Sequence, residues 1–288
     1  MNNKTTIRFA LPKGRMFDSV TALLNDAGIR IAQSSRDYRP TTALENFDTK
    51  ILKPRAIVEM LATGQRDLGF AGADWVAEDN ADLVELLDTR LDPVRLVAAA
   101  PESILTAGRL PNRPIILASE YTNIAARWIA SQNLDATLIR SYGATEVLPP
   151  EDADCIIDNT ASGSTLAANA LVIIDQLMTS STRIYASRAA INSPEKRPRI
   201  ESFVMLVASV LEARTRVMLE LNVSSENLAR VIEILPCMRE PTVSPMHAGA
   251  GYAVKSAVLR NQLPTVIPAI KARGGTDIVV TTPQQIVL

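Results

Sequence analysis

The chain has 288 residues, of which 47% are hydrophobic, and its 30 basic residues nearly balance 31 acidic ones. This length is enough for two or three domains with sizeable cores, while the balanced charge and an aromatic content of 4% argue against a nucleic-acid-binding surface. No stretch has the ~18 uninterrupted apolar residues of a membrane span, and residues 1–26 lack the pattern of an export signal, so we expect a soluble cytoplasmic protein.

Strands and helices alternate over the first two-thirds of the chain. Strands are predicted at residues 5–11, 50–52, 67–71, 94–100, 114–118, 136–140, 155–157 and 182–186. Apolar residues at helical spacing predict the intervening helices: Phe17, Val20, Leu23 and Leu24; Ile57, Met60 and Leu61; Ala125, Trp128 and Ile129; Leu166, Ala170, Leu171 and Ile174; and the run 203–211. This βαβα order predicts an α/β fold with parallel strands and two lobes, residues 1–92 with 180–208 and residues 93–179.

The order changes from Arg216 onward. Strands are predicted at 216–223, 241–246, 252–259 and 277–282, with one helix after Ser224 and another over 266–270. This βαββαβ order is that of a ferredoxin-like unit. We therefore expect residues 209–288 to form a separate module, better suited to sensing a ligand than to chemistry.

The segment "DCIIDNTASGSTLAAN", residues 154–169, predicts a phosphate site. A buried strand leads into Asp158, and a turn of small residues then stands before the predicted helix: Ala161, Ser162, Gly163, Ser164 and Thr165. Small residues let backbone N–H groups approach an anion closely, and a helix N-terminus favours negative charge. Asp158 could hold sugar hydroxyls or a metal-bound group, so the segment suggests a phosphorylated sugar. An ordinary helix cap explains the same residues equally well.

Two further turns follow predicted strands. In "ALPKGRMF", Lys13, Gly14 and Arg15 could place two cations on a phosphate, although a solvated basic turn is an equal alternative. In "DLGFAGADWV", Gly72 permits close approach, and Asp74 could either cap the next helix or accept hydrogen bonds from a ligand. Capping is the simpler interpretation for Asp74.

Four more cations lie in "SSRDYRP" and "LKPRA". These are Arg36, Arg39, Lys53 and Arg55, which could bind a triphosphate or be surface charges. Their value is cumulative, because three strand-to-helix turns and several cations would converge on the cleft of a two-lobed α/β chain.

Cysteine and histidine offer little chemistry. Cys155 and Cys237 are far apart in sequence, and Cys155 lies in a predicted core strand, which disfavours a disulfide framework. Because His247 is the single histidine, a histidine-rich metal site within one chain is excluded. His247 falls in a Pro- and Gly-rich stretch without a nucleophile-elbow motif, so a solvated loop histidine fits better than a Ser-His-Asp triad.

Taken in order, six segments of the chain resemble the ATP phosphoribosyltransferase family, which opens histidine biosynthesis. They are "LPKGR", "DLGFAGADW", "ASEYTN", "GATEVLPP", "ADCIIDNTASGSTLAAN" and "PTVSPM", and they extend over nearly the full length. The resemblance is to the long form, which carries its own regulatory domain. It implies a two-lobed catalytic part like periplasmic binding proteins, a ferredoxin-like regulatory domain, and a homo-oligomer in a dimer and hexamer equilibrium.

The resemblance implies a reaction in which adenine N1 of ATP joins C1 of phosphoribosyl pyrophosphate, with Mg²⁺ and loss of pyrophosphate. Residues 161–165 would cradle the 5′-phosphate, and Asp154 and Asp158 would orient the ribose or metal-bound waters. The ATP side would comprise Lys13, Gly14, Arg15, Arg36, Gly72 and Asp74, with Lys13 also acting in catalysis. L-Histidine would inhibit by binding in the C-terminal module near Asn222, Met238, Thr242 and Asp277.

The chain departs from the family pattern at several positions. Ala56 stands where an acid is frequent and Lys53 where Arg is frequent, and Asn159, Thr160 and Ala161 replace a common Leu-Val-Ser. Two other functions compete. A non-enzymatic cytoplasmic two-lobed binding protein is disfavoured by the missing export signal. A salvage phosphoribosyltransferase usually carries two adjacent acids before the phosphate turn, whereas Asn159 follows Asp158 here.

Overall fold

The computed structural model describes residues 5–32 and 38–288. Contacts divide the chain into two compact units, the first ending at Val204 and the second running from Met205 to Leu288 together with Asp26–Gly28. Within the described ranges, every helix is too short or too polar to cross a bilayer.

The first unit is a mixed α/β structure. Its strands are β1 (Ile7–Pro12), β2 (Ile31–Ala32), β3 (Thr41–Thr42), β4 (Phe47–Leu52), β5 (Leu68–Gly72), β6 (Leu83–Pro101), β7 (Ile115–Ser119), β8 (Ala136–Arg140), β9 (Cys155–Thr160) and β10 (Leu171–Ser187). Its helices are α1 (Arg15–Asp26), α2 (Pro54–Ala62), α3 (Ala73–Glu78), α4 (Thr122–Ser131), α5 (Ser164–Ala168) and α6 (Arg188–Ile191), and α7 (Arg197–Thr215) contains the boundary between the units.

One large sheet in the described residues has the strand order β4-β1-β5-β10-β6-β9-β7-β8. Strands β4, β1 and β5 are parallel, as are β9, β7 and β8, and the long antiparallel pair β6 and β10 joins these two sets. The two parallel sets, with their helices, are the two lobes of this unit. The strand predicted at residues 182–186 is confirmed as part of β10, and it belongs with the first lobe because it pairs with β5.

The register makes the carboxyl ends of the two lobes face each other. Gly72 ends β5 and pairs with Thr182, which pairs with Leu91 of β6. From the other lobe, Thr160 ends β9 and pairs with Arg95, which is also on β6. Because the carboxyl ends of parallel strands gather ligands, the two lobes direct their ligand-binding edges toward the same short stretch of β6.

Each lobe has its own apolar core. The edges of Phe9 on β1 and Phe70 on β5 pack together with Phe203 of α7 at centroid separations of 5.2–6.3 Å. In the other lobe, Trp128 of α4 and Cys155 of β9 belong to one buried cluster. Such burial of aromatic and aliphatic surface fixes the strands whose ends form the site.

The second unit has the predicted βαββαβ order: β11 (Arg216–Val223), α8 (Leu228–Ile232), β12 (Thr242–Pro245), β13 (Tyr252–Leu259), α9 (Leu263–Ala272) and β14 (Gly275–Thr281). Its strands form an antiparallel sheet in the order β12-β13-β11-β14. Along β11, burial alternates residue by residue, because one face of the strand packs into the unit's core with α8 and α9.

Two sequence predictions differ from the structure. The helix predicted from Leu166 to Ile174 ends at Ala168, and Leu171 and Ile174 belong to β10. Ala170 has a positive φ of 55°, which breaks the helix. The strand predicted at 94–100 is the last part of the 19-residue β6, and its polar, bulged first part gave no clear strand pattern.

Candidate active site

A cavity of about 90 Å³ lies where the carboxyl ends of the two lobes meet. Three of the predicted ATP-side residues line it: Arg15, Gly72 and Asp74. Asn159, from the strand that leads into the predicted phosphate turn, lines the same cavity. The structure therefore brings residues from both lobes to one place, as expected from the position of their strand ends.

The turn after β1 carries the predicted cations. Gly14 has φ +82°, a conformation that glycine adopts without strain, and it lets α1 begin at Arg15. The Lys13 Nζ donates to the Tyr38 hydroxyl at 3.1 Å and lies 5.1 Å from the centre of that ring. Arg36, which was predicted to bind phosphate together with Lys13 and Arg15, lies outside the described residues.

Asp74 does not cap α3, contrary to the simpler interpretation of its sequence position. The N-terminus of α3 at Gly72 has no side-chain cap, and the Asp74 carboxylate accepts from the Tyr121 hydroxyl at 2.6 Å and the Ser180 hydroxyl at 2.9 Å. Gly72 is needed for this arrangement, since a Cβ there would overlap the Asp74 carboxylate. The group that closely approaches the Gly72 backbone is thus the Asp74 carboxylate of the same chain.

Tyr121 and Asn159 are site residues that sequence reasoning missed. Tyr121 is fully buried, stacks on Trp75 at a centroid separation of 4.5 Å, and accepts a hydrogen bond from Asn159 Nδ2 at 2.8 Å. Burial and the Asp74 carboxylate raise the pKa of its hydroxyl, so Tyr121 stays protonated. Tyr121 could have been identified from its position two residues after the carboxyl end of a strand, which the structure places at Ser119.

The predicted phosphate turn has a defined backbone. Gly163 adopts φ +84° and its N–H donates to Thr160 Oγ1 at 2.9 Å, while the Ser164 N–H donates to Ser162 Oγ at 3.3 Å. Thr165 lies in the first turn of the five-residue α5, where backbone N–H groups have no acceptor inside the helix. In the turn, which begins at Ala161, the Gly163 and Ser164 N–H groups are thus bonded to side chains, and the later N–H groups in the first turn of α5 are those suited to an anion.

Asp158 lies beside this turn in an acidic environment. Burial raises the pKa of its carboxyl to about 6, an effect that the hydrogen bond from the Asn159 N–H opposes and the nearby Glu146 and Glu120 reinforce. Those two acids follow β8 and β7. Each of the three parallel strands of this lobe thus has an acid at or after its carboxyl end.

Asp154 is at the wrong end of the lobe for its predicted role. It precedes β9, six residues before Thr160, which corresponds to about 20 Å along a strand. Its carboxylate accepts from Arg113 at 2.8 Å and from the Ile116 N–H at 2.8 Å, near the amino end of β7. Those contacts hold the pKa of Asp154 below its usual value. Asp154 therefore supports the sheet and does not reach the phosphate turn.

The predicted histidine residues are only partly brought together. Asn222 Nδ2 donates to Asp277 Oδ2 at 3.1 Å, whereas Thr242 is on β12, two strands away from β11 and about 10 Å across the sheet. Met238 lies half-buried between α8 and β12. His247 is exposed in a short turn, and Cys155 and Cys237 are free thiols. In the residues described, His, Cys, Asp and Glu side chains form no group of three or more that could hold a metal.

Comparison with known families identifies the chain. The model of the ATP phosphoribosyltransferase family matches residues 53–209, and that of the HisG C-terminal domain matches residues 213–284. The chain belongs to the ATP phosphoribosyltransferase family. The presence of both domains agrees with the predicted long form.

Named relatives agree with this family assignment. The ATP phosphoribosyltransferase of Chlorobaculum parvum is 33% identical over 96% of both chains, and that of Prosthecochloris aestuarii is 34% identical over 96% of both. A solved ATP phosphoribosyltransferase (HisG:HisZ) complex from Thermotoga maritima contains a chain that aligns with a TM-score of 0.64 and 24% identity, covering 72% of this chain and 99% of that one. The mixed α/β fold is thus that of the family.

The family assignment confirms the predicted activity. ATP phosphoribosyltransferases are glycosyltransferases that join ATP and phosphoribosyl pyrophosphate in the first step of histidine biosynthesis. The two competing functions, a non-enzymatic binding protein and a salvage phosphoribosyltransferase, are not those of this family.

Proposed function

We propose that the two facing strand ends divide the substrates between them. Residues 161–165 bind the 5′-phosphate of phosphoribosyl pyrophosphate, and the turns at Lys13–Arg15 and Gly72–Asp74 bind ATP. In this assignment the catalytic lobes are residues 1–92 with 180–208 and residues 93–179, and residues 209–288 are regulatory. The observation that carries the proposal is the cavity shared by Arg15, Gly72, Asp74 and Asn159.

The reaction depends mainly on the alignment of the two substrates. The lone pair of adenine N1 attacks C1 of the ribose, the N1–C1 bond forms with inversion, and the C1–oxygen bond breaks with its electron pair leaving on pyrophosphate. Adenine N1 needs no base, because its lone pair is free at neutral pH. Binding the two substrates from opposite lobes brings the reacting atoms together, and that effect can supply several kcal/mol of barrier reduction.

Cations of the first lobe are suited to the phosphates. Lys13 and Arg15 lie in the turn after β1, and we assign them, with Arg36, to neutralise substrate phosphates. Asp158 accepts from the ribose hydroxyls or from metal-bound water. Asp154 is left out of this assignment, because its carboxylate is already bonded at the opposite end of β9.

The acids around the turn fit a Mg²⁺ ion that arrives with the substrate. Asp158, Glu120 and Glu146 give the turn a negative environment but do not form a cluster able to hold a metal. Mg²⁺ commonly keeps several waters and binds through substrate phosphates. When bound, it would stabilise the charge that develops on the departing pyrophosphate.

One assay tests the proposal directly. The purified chain is incubated with ATP, phosphoribosyl pyrophosphate and Mg²⁺, and the N1-ribosylated adenine chromophore and pyrophosphate are measured together. We expect both products in equal amounts, and none when excess chelator is present. Full turnover in chelator would contradict the metal assignment, and absence of both products with Mg²⁺ would contradict the function.

We also propose feedback inhibition by L-histidine at the second unit. Asn222, Thr242 and Asp277 offer polar groups for an amino acid, and Met238 offers an apolar contact. Because Thr242 is about 10 Å across the sheet from Asn222, one histidine would have to extend over nearly its full length to touch both groups of one chain. A homo-oligomer in which two such units meet would supply the remaining contacts.

Thr242→Ala tests the histidine proposal without altering the first unit. The variant should keep its turnover while its inhibition curve shifts to higher histidine concentration. Thr281→Ala, on the same sheet but outside the proposed set, is the control. Absence of histidine binding to the intact protein at millimolar ligand would rule out the regulation and leave the transferase assignment intact.

A further inference from the structure

A chain of three hydrogen bonds crosses from one catalytic lobe to the other. Asn159 of β9 donates to the Tyr121 hydroxyl at 2.8 Å, Tyr121 donates to Asp74 at 2.6 Å, and Ser180 of β10 donates to Asp74 at 2.9 Å. Asp74 belongs to α3 of the first lobe, whereas Asn159 and Tyr121 belong to the second. Ser180 lies on one of the two long strands that join them.

The direction of each bond follows from its donors. A carboxylate only accepts hydrogen bonds, so the single hydroxyl proton of Tyr121 goes to Asp74. Tyr121 must then accept from Asn159, and only the amide NH₂ can donate. The amide oxygen of Asn159 is consequently turned away from Tyr121. A flip of this amide would turn its oxygen toward Tyr121 and break the hydrogen bond, because an amide oxygen cannot donate.

The residues of this hydrogen-bond chain differ strongly in their burial. Tyr121 is 0% exposed and Asp74 is 5% exposed, whereas Asn159 is exposed and lines the cavity. Asn159 also precedes Thr160, whose hydroxyl accepts from the Gly163 N–H of the phosphate turn. The Asn159 end of the hydrogen-bond chain is therefore attached to the turn, and the chain continues through Tyr121 to Asp74, on the proposed ATP side.

We propose that Asn159 and Tyr121 are positioning residues that couple the binding of phosphoribosyl pyrophosphate to the binding of ATP. The inference rests on the proposed assignment of the two substrates to the two lobes. A ribose phosphate in the turn fixes Thr160 and Asn159, and Asn159 in turn fixes Tyr121 against Asp74. The second substrate then meets a side that is already ordered, which is a source of positive cooperativity.

Coupling is measured with a ligand pair that cannot react. Ribose 5-phosphate has the phosphate and the ribose but no pyrophosphate to lose, so the dissociation constant of ATP can be measured by calorimetry with and without it. We expect ribose 5-phosphate to tighten ATP binding about fivefold or more, the lower end of common coupling. Asn159→Ala and Tyr121→Phe should each bring this ratio close to one.

Asn123→Ala is the matched control. Asn123 is also exposed and also donates between the lobes, from Nδ2 to the Glu78 carbonyl oxygen at 3.0 Å, but it has no contact with the turn. It should keep the wild-type ratio. The double variant of Asn159 and Tyr121 should lose no more coupling than either single variant, because both act in one chain.

Each outcome decides the inference. A wild-type ratio near one, an unchanged ratio in Asn159→Ala, or an equal loss in Asn123→Ala would overturn it. Asn159 is at the surface, so its variant remains informative even if Tyr121→Phe fails to fold. The N1-ribosylated product is measured first in the wild type: its absence defeats the proposed function, whereas product formation with unaltered coupling defeats only this inference.

Discussion

Glu78 accepts a hydrogen bond from the backbone N–H of Ile124 at 2.9 Å, although the two residues lie in different lobes. The same fully buried carboxylate accepts from the Asn123 N–H at 2.9 Å. It thus satisfies two first-turn donors of α4, where helix N–H groups have no internal partner and a negative charge is favoured. A buried acid in α3 holds the two catalytic lobes together.

Glu78→Ala should destabilise the protein strongly. The change leaves a cavity and two backbone donors without their acceptor, of which that of Ile124 is buried and that of Asn123 is partly buried, so we expect a loss of about 2–4 kcal/mol in the free energy of unfolding. Urea unfolding measures this loss. Glu59→Ala is the control, because Glu59 lies exposed on the neighbouring α2. Equal stabilities of the two variants would refute the capping role.

A second buried acid makes stability depend on pH. Burial alone would raise the pKa of Asp67, but hydrogen bonds from Arg8 at 2.6 Å and Lys196 at 2.8 Å outweigh burial, and the pKa is lowered. A carboxyl whose pKa is lower in the folded state stabilises the fold above its unfolded pKa. That stabilisation is lost as the pH falls through the folded value.

Asp67→Asn should therefore cost about 2–4 kcal/mol at pH 7, because two cations lose their counter-charge in a partly buried place. The difference from wild type should begin to shrink below about pH 4, the usual carboxyl pKa of the unfolded chain, and should disappear only below the lowered pKa of folded Asp67. Chemical unfolding at several pH values measures it. Asp82→Asn breaks the exposed ion pair with Arg188 and should have a smaller effect. A difference that does not change with pH would contradict the ionic explanation.

Local patterns explain which parts of the fold could be predicted. In β11, the buried Val217, Leu219 and Leu221 alternate with less buried residues that are mostly polar, so both its existence and its buried face follow from the sequence. The middle of β6 is different, because Arg90 and Asp92 have positive φ and the register with β10 shifts nearby. A bulged, polar strand carries no regular pattern, and its pairing is decided by distant residues.

The site divides in the same way. The turns at Gly14, Gly72 and Gly163 are local features that follow predicted strands, and sequence reasoning found all three. Tyr121 is 47 residues from Asp74 and 38 from Asn159, so their contact depends on how the two lobes are joined. Asp154 was assigned to the site because it is close to the turn in sequence. It precedes β9, however, and therefore lies at the amino end of that strand, away from the turn.

Gly163→Val tests the phosphate turn. Valine adds a branched side chain at φ +84°, where the backbone is proposed to meet the 5′-phosphate. We expect KM for phosphoribosyl pyrophosphate to rise at least tenfold while KM for ATP changes much less. Initial-rate kinetics with each substrate varied in turn measures the two constants.

Gly108→Val provides the matched control for backbone strain. Gly108 has φ +74° and open space around its Cα, so valine there incurs a similar conformational cost, typically about 1–3 kcal/mol, away from the proposed site. Its kinetics should stay near wild type while its stability falls by a similar amount. Normal kinetics in both variants would mean that the turn is only a helix cap.

Asp158 should lower stability at the pH where it supports activity. Its folded pKa of about 6 exceeds the usual value near 4, so the folded state favours the neutral acid. Stability is then lost as the pH rises from about 4 to 6. Asp158→Asn removes this loss and should stabilise the protein at pH 8 by about 1–2 kcal/mol, with little gain at pH 4. Thermal unfolding at both pH values tests the sign.

The same carboxylate should set an acid limb in the activity. We expect kcat/KM for phosphoribosyl pyrophosphate to fall below pH 6, and Asp158→Asn to reduce turnover roughly 10–100-fold through poorer orientation of the ribose.

The substrate's own phosphate also titrates near pH 6, so the wild-type pH profile alone does not show which of the two groups sets the acid limb. Glu146→Gln resolves it, because removing a like charge lowers the pKa of Asp158 without altering the substrate. The acid limb should move to lower pH in this variant and stay in place in Glu151→Gln, an exposed position before β9. An unmoved limb in Glu146→Gln would assign it to the substrate and remove Asp158 from the reaction.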